Sequence, residues 1–411
     1  MAMHPTLTRL ILPSLLAVLV SASSSQNCFA SDSVDSTSIE LLPKNKIKSA
    51  PRKVEIYQYD ESPIGDRKPL LFVHGLLGEY HPMFRWKELG EYLCEKPDFQ
   101  KQYKIYLSRF NTSLSLTEIT DEFRTSLRNH FPSGDVTIVA ISLAGTVVRN
   151  SMKDPSVNNL VSRVITLGSF FRGSPLFCAD WMRQTMKKRY PSPLSKIDHL
   201  LGYSIYFARH KNLQRDFAWD NSDGQMPPQK KSRKEKTPLV TVTDQKQKAI
   251  DHKFFVYAGY LHNQYAPREH GVIRKFITTP YSFFKTTLPM HLDREHPALR
   301  FLNDLIAKSV PKTSPANDII YPLNDGISPI ASSLLLTNEF AARPDINKMN
   351  DLTLIKLNTN AGKARLLDNI DHLTFIERKR PIGYSEKITD MLSSTEEPRA
   401  MFEWILKDLM E

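Results

Sequence analysis

The sequence predicts an α/β fold with a mostly parallel, twisted sheet and helices on both of its faces. Three observations lead to this prediction. The chain has 411 residues, of which 41% are hydrophobic and 24% charged, a composition typical of globular proteins with a sizeable core. Short apolar runs alternate with segments of helical spacing, as right-handed βαβ units require. Glycine-containing turns follow several of these runs.

Short apolar runs rich in Val, Ile, Leu and aromatic residues predict the strands of this sheet. In chain order they cover residues 54–57, 69–73, 103–107, 136–140, 163–167 and 254–258. Helical spacing over residues 117–130 predicts a helix that Ser115 caps. A second helix is predicted from Leu143 to about Met152, and a closing amphipathic helix over residues 398–409.

The first 30 residues have the pattern of an export signal. They contain no acidic residue, and Arg9 precedes an apolar stretch over residues 10–20 that is too short to span a bilayer as a helix. Small residues suitable for cleavage follow, ending at Ala22 or at Ala30. The prediction is a secreted or periplasmic protein, with an uncleaved membrane anchor as the alternative. A polar lead-in covers residues 31–53.

The cysteines are compatible with export but leave two interpretations open. The chain has three of them, Cys28, Cys94 and Cys178, and cleavage after Ala30 leaves a pair. One disulfide between Cys94 and Cys178 suits an oxidising compartment. Two buried free thiols are the alternative, because the sequence does not show whether these residues meet.

Two long insertions divide the predicted core, which comprises residues 54–174 and 253–411. The insertion over residues 175–252 contains amphipathic helix candidates, interpreted as a cap or lid, and a basic stretch over 230–236. Its apolar residues suit either a lid that opens at a lipid surface or ordinary cap packing. The basic stretch is interpreted as a solvated loop, with a membrane-surface contact as the alternative. The other insertion covers about residues 261–317.

The net charge of +11, from 55 Lys and Arg against 44 Asp and Glu, is compatible with anionic lipid surfaces. No nucleic-acid-binding motif is present in the sequence, so a nucleic-acid partner is not expected. The oligomeric state is left open.

A serine stands where the predicted strand 136–140 meets the following helix. Ala140 and Ala144 lie two residues before and after Ser142, and Gly145 comes next. A sharp strand–turn–helix junction needs small side chains at these positions, because the strand and the helix nearly touch there. The alternative interpretation is that Ser142 only caps the helix.

Three further segments complete the pattern. Residues 74–78 (HGLLG) directly follow the predicted strand 69–73. Residues 166–175 (TLGSFFRGSP) begin at the end of the predicted strand 163–167. Residues 324–329 (NDGISP) contain Asp325, a candidate functional carboxylate, and Asp318 is the reserve candidate. The alternative interpretation is that Asp325 and Gly326 only form a common Asp-Gly turn. His372 is the only histidine after Asp325, although the separation of 47 residues is long.

Together, these motifs resemble the α/β-hydrolase superfamily, and in particular secreted bacterial lipases and esterases, over roughly residues 69–375. The junction at Ser142 resembles the nucleophile elbow G-x-S-x-G, with alanines in place of the glycines. The resemblance implies a triad in which His372 is the base and Asp325 orients it. The backbone amides of Leu76 and Leu143 would then bind the oxyanion, and His74 would be structural.

The expected function is a serine hydrolase that cleaves carboxylic esters, as a lipase or esterase, through an acyl-enzyme. No cofactor is expected. Some relatives of this type bind a structural Ca²⁺, and although Asp368 and Asp371 lie near His372 in the sequence, no metal is predicted. The alternatives are a phospholipase, an acyltransferase or an amidase on the same triad, or a noncatalytic binding protein that retained the fold.

Overall fold

The computed structural model describes the chain over the predicted core with gaps. The described residues are 49–76, 78–80, 82–177, 212, 216–218, 249–260, 306, 324–335, 359–368, 370, 372, 375 and 397–411. The predicted signal peptide, most of both insertions and of the lead-in, Cys178, Asp318 and Asp371 lie outside these residues.

A single mixed sheet forms the centre of the described structure. Its strands are β1 (Glu55–Gln58), β2 (Lys68–Val73), β3 (Tyr103–Arg109), β4 (Val136–Ile141), β5 (Val161–Leu167), β6 (Phe254–Tyr260) and β7 (Lys363–Asp368). Their order in the sheet is β1-β3-β2-β4-β5-β6-β7. Strand β1 pairs antiparallel with β3, and every other pair is parallel.

Helices cover both faces of this sheet. The helices in the described residues are α1 (Pro82–Cys94), α2 (Pro97–Gln102), α3 (Leu116–His130), α4 (Leu143–Ser151), α5 (Pro155–Leu160), α6 (Ile330–Ser333) and α7 (Glu397–Met410). Helices α3 and α4 pack into one apolar cluster, and α1 and α7 pack into another. This architecture confirms the predicted α/β fold, a mostly parallel sheet with helices on both faces, whereas most of the predicted cap or lid lies outside the described residues. None of the helices among the described residues has the length and apolar character needed to cross a membrane.

Strand β2 shows how the sheet separates the two clusters. Leu71 and Val73 belong to the cluster of α3 and α4, whereas Leu70 and Phe72 belong to that of α1 and α7. Successive side chains of a strand point to opposite faces, so a strand covered on both faces is apolar along its whole length. This explains the continuous apolar runs in the sequence.

The six predicted strands agree with β1 to β6 apart from shifts of one or two residues at their ends. The predicted cap of α3 is also confirmed, since Ser115 Oγ accepts the Glu118 N–H at 3.2 Å and the Glu118 carboxylate accepts the Ser115 N–H at 2.8 Å. Helices α1, α2, α5 and α6 were not predicted. The last three have six, six and four residues, so the helical period in each is too short to recognise.

Helix α7 is held to the sheet by a buried carboxylate at Asp408. The Asp408 side chain is fully buried and accepts hydrogen bonds from Lys363 Nζ at 2.7 Å and from Arg365 Nε at 2.7 Å. The Tyr257 hydroxyl also donates to it. Burial acts to raise the pKa of Asp408, but the bonds from Arg365, Lys363 and Tyr257 outweigh burial and hold that pKa below its ordinary value.

This lowered pKa predicts a loss of stability in acid. A carboxyl whose folded pKa lies below its unfolded value, about 3.9 for Asp, stabilises the protein above the unfolded pKa. That contribution is lost as the pH falls through the folded pKa. We therefore expect the difference in unfolding free energy between wild type and Asp408→Asn to shrink from about pH 5 towards pH 2. Urea unfolding across this pH range measures the difference. Glu411→Gln is the control, since the exposed Glu411 also pairs with Lys363. A difference that stays constant with pH contradicts the prediction.

Candidate active site

Ser142 occupies a strained turn between β4 and α4. Its φ of 61° and ψ of −131° lie in a region that residues with a side chain rarely adopt. The Ser142 N–H donates to the Leu167 carbonyl at 3.0 Å, which fixes the turn against the end of β5. The Ser142 side chain makes no capping hydrogen bond. The interpretation of Ser142 as a mere helix cap therefore finds no support in the structure.

The small residues around Ser142 allow α4 to lie directly against the chain that follows β5. Ala140 and Ala144 are fully buried, as the predicted turn requires. The tightest contact is at Gly145, where an added Cβ would collide with Ser169 Oγ and lie 2.7 Å from Ser169 Cβ. A side chain at position 145 would therefore push α4 away from this chain.

The segment after β2 forms a turn that packs against Ser142. The Gly78 N–H donates to the Gly75 carbonyl at 3.1 Å, and Leu76 is the second residue of this turn. A Cβ on Gly75 would lie 2.7 Å from Ser142 Cβ, so glycine is needed for this close approach. The backbone N–H groups of Leu76 and Leu143 make no hydrogen bond to any acceptor that the structure describes.

His74 is a structural residue, as expected. It is fully buried, and its Nε2 accepts the Phe110 N–H at 3.1 Å while its Nδ1 lies 2.7 Å from the Gly75 carbonyl. One neutral tautomer, with the proton on Nδ1, satisfies both bonds. The His74 ring also stacks on Phe110 with a centroid distance of 4.2 Å.

Asp325 and His372 are paired, despite the 47 residues between them. His372 Nδ1 lies 2.8 Å from Asp325 Oδ2, and the His372 N–H donates to the Asp325 carbonyl at 3.0 Å. The other carboxylate oxygen, Oδ1, accepts the N–H groups of Ile327 at 2.9 Å and Ser328 at 2.6 Å. All of these contacts orient a fully buried carboxylate towards the Nδ1 edge of the imidazole.

The Asp325–His372 pair and Ser142 lie around the carboxyl end of β5. Gly168, directly after β5, has a φ of 56°, and a Cβ there would lie 2.8 Å from Asp325 Oδ2 and 3.1 Å from His372 Nδ1. Leu167, the preceding residue, accepts the hydrogen bond from Ser142. His372 Nε2 is buried and has no hydrogen-bond partner, so the Ser142 hydroxyl is not bonded to it. Such bonds are often unformed without substrate.

The serines after Asp325 fasten the acid loop to the segment after β5. Ser328 Oγ lies 2.6 Å from Ser333 Oγ and donates to the Ser169 carbonyl at 3.3 Å. Ser332 Oγ accepts the Arg172 N–H at 2.9 Å. These bonds hold the acid loop against the chain that follows β5.

Sequence reasoning missed the role of Phe170. Its ring is buried and stacks on the His372 ring with a centroid distance of 6.3 Å and an interplanar angle of 22°. Its carbonyl accepts a hydrogen bond from Thr146 Oγ1 of α4 at 3.2 Å. Phe217, from the insertion, packs edge-on against the same ring at 5.6 Å. The sequence showed only that Phe170 lies in the segment 166–175 at the end of a predicted strand.

The described residues include one free cysteine and no candidate metal site. No group of three or more His, Cys, Asp or Glu side chains that suits a metal ion occurs in the part of the chain that the structure describes. Cys94 is a half-buried thiol there, and burial raises its pKa. Cys178, its partner in one of the two interpretations, lies outside the described residues.

Comparison with known proteins gives likenesses in structure only. No family model and no curated protein sequence matches the chain. The mature lipase BlEst2 of Bacillus licheniformis is 14% identical, with a TM-score of 0.37 over 79% of this chain and 93% of that one. A 2-hydroxy-6-oxo-6-phenylhexa-2,4-dienoate hydrolase from a Rhodococcus species is 12% identical, with a TM-score of 0.35 over 76% and 86%. The phospholipase PlaB of Legionella pneumophila is 13% identical, with a TM-score of 0.33 over 66% and 46%. Because the identities and TM-scores are this low, none of these likenesses carries a conclusion about activity.

Proposed function

We propose that the protein is an exported serine hydrolase that cleaves carboxylic esters, as a lipase or esterase, through an acyl-enzyme. The observation that carries the proposal is the buried Asp325–His372 pair at the same sheet edge as Ser142, whose φ is 61°. A strained serine, an imidazole with an unpartnered Nε2 and a carboxylate on the opposite nitrogen are the parts of a Ser-His-Asp triad.

In the proposed reaction, the Ser142 hydroxyl attacks the acyl carbonyl while His372 Nε2 accepts its proton. Asp325 keeps the proton of His372 on Nδ1, so that Nε2 presents a lone pair, and it stabilises the imidazolium that forms. The amides of Leu76 and Leu143 donate to the oxyanion of the tetrahedral intermediate. His372 then protonates the leaving alcohol. Water next attacks the acyl-enzyme while His372 accepts its proton, and His372 returns that proton to the Ser142 oxygen as the acid is released.

Labelling with a fluorophosphonate probe tests the nucleophile directly. We expect the native protein to form a covalent adduct and Ser142→Ala to form none, because the probe needs a serine activated by a neighbouring base. Intact mass spectrometry measures the adduct. Ser169→Ala is the matched control, since it removes a buried, unpartnered hydroxyl at the same sheet edge. A noncatalytic binding protein would remain unlabelled while folded, and that result contradicts the proposal.

A series of nitrophenyl esters of increasing chain length identifies the class of ester. Rates are measured below and above the solubility limit of each ester. A jump at the limit is expected of a lipase, and saturation below it is expected of an esterase. Replacing the esters by phospholipids, amides or an added alcohol acceptor tests the phospholipase, amidase and acyltransferase alternatives on the same serine.

A further inference from the structure

Glu79 is a buried carboxyl group next to the turn that carries the Leu76 amide. It directly follows Gly78, and only 2% of it is exposed. Its Oε1 accepts hydrogen bonds from the Thr112 N–H at 3.2 Å and from Thr112 Oγ1 at 2.7 Å. Its Oε2 is buried and has no hydrogen-bond partner.

Burial of this carboxyl group is unfavourable for folding on its own. Burial raises the pKa of Glu79, although the bonds from Thr112 and the charge of Arg109 partly oppose it. An apolar residue of similar volume would avoid the cost of burying Oε2 without a partner. Buried polar groups that are retained at such a cost are concentrated near functional sites.

The contacts of Glu79 lead step by step to Ser142. Thr112 lies just beyond β3, and Arg109, the last residue of β3, donates from Nε to the Glu79 carbonyl at 2.8 Å. Glu79 is therefore held by its side chain and its main chain to the end of β3. It fixes Gly78, whose N–H closes the turn onto Gly75. A Cβ on Gly75 would lie 2.7 Å from Ser142 Cβ, so the turn has little room to shift relative to Ser142.

We propose that Glu79 is a positioning residue that holds the Leu76 amide in place for the oxyanion, through its bonds to Thr112. This inference rests on the proposed function, because it assigns Glu79 a part in the same site. A donor contributes to catalysis only when it points at the place where negative charge develops, so a small displacement of the turn lowers kcat.

Three variants test this role. Glu79→Ala removes the acceptor for Thr112 and is expected to lower kcat by about 10-fold to 100-fold. This loss is smaller than the one that follows from deleting an oxyanion donor. KM is expected to change by less than about 2-fold. Glu79→Gln keeps an acceptor oxygen and is expected to retain most of kcat. Thr112→Val removes the hydroxyl donor and is expected to lower kcat, and the double variant Glu79→Ala/Thr112→Val should be no worse than Glu79→Ala alone.

Glu118→Ala is the matched control, since Glu118 also caps backbone and hydroxyl groups but belongs to α3. It is expected to lower the melting temperature and leave kcat unchanged. The inference is overturned if Glu79→Ala lowers only the melting temperature, if Glu79→Gln loses as much kcat as Glu79→Ala, or if the losses of Glu79→Ala and Thr112→Val multiply. If Glu79→Ala does not fold, the kcat values of Glu79→Gln and Thr112→Val decide. Failure of the proposed function is a different result, namely a folded native protein that neither reacts with the probe nor turns over esters.

Discussion

Asp325→Asn is expected to lower kcat for ester hydrolysis by about 10⁴-fold, as the same change does in a serine protease triad. The asparagine amide would donate to His372 Nδ1, now 2.8 Å from Asp325 Oδ2. The imidazole would then carry its proton on Nε2, where it cannot accept the proton of Ser142. Asparagine still offers Oδ1 to the N–H groups of Ile327 and Ser328, so the acid loop is expected to keep its shape.

The measurement is kcat together with the melting temperature of the variant. Asp216→Asn is the control, because Asp216 is another buried aspartate, which accepts the Leu116 N–H at 2.8 Å at the start of α3. It is expected to keep kcat within about 2-fold of wild type, since no imidazole tautomer depends on it. If Asp325→Asn folds normally and loses less than about 10-fold in kcat, another carboxylate orients the base and the assignment of Asp325 is wrong.

Arg149→Met is expected to destabilise the protein by about 3–5 kcal/mol, because it leaves a buried carboxylate without its counter-ion. Arg149 Nε lies 2.7 Å from Asp251 Oδ1, and Arg149 Nη2 lies 2.7 Å from Asp251 Oδ2. Their side chains are 2% and 1% exposed. This two-point pair joins α4, the helix that begins after Ser142, to the short turn before β6.

Urea unfolding of single and double variants separates the effect of losing the ion pair from the effect of leaving one charge buried without a partner. Arg149→Met/Asp251→Leu removes both charges and is expected to recover much of the stability that Arg149→Met loses, because no charge is then left buried. Lys68→Met provides the exposed comparison, since Lys68 and its partner Asp135 are 53% and 50% exposed, and a cost of about 0–1 kcal/mol is expected. Equal costs for Arg149→Met and Lys68→Met contradict the prediction.

Local features of the sequence were enough to predict much of the fold. The apolar run before His74 and the run before Ser142 each became a buried strand, because a strand covered on both faces has no polar positions to interrupt it. The cap at Ser115 was readable because its partner Glu118 is only three residues away. Helix α5 escaped prediction because six residues hold too little periodicity to distinguish a helix from a turn.

The residues proposed to carry the chemistry were also named from the sequence, by motif and chain order. The contacts that surround them could not be named in this way. Nothing near Glu79 in the sequence indicates Thr112, and nothing near Phe170 indicates a ring over His372, because both contacts join segments far apart in the chain. Such contacts depend on how loops meet at the edge of the sheet.

The sequence by itself determined strands β1 to β6 and the capped helix, and it singled out Ser142 as the proposed nucleophile, since each follows from residues within a few positions of one another. Only the tertiary structure decided that Asp325, 47 residues before His372, is the carboxylate that meets the imidazole. The physical reason is that parallel strands bring their carboxyl ends to one edge, where loops of any length can place side chains in contact. The path of each loop depends on packing and hydrogen bonds that no local pattern encodes.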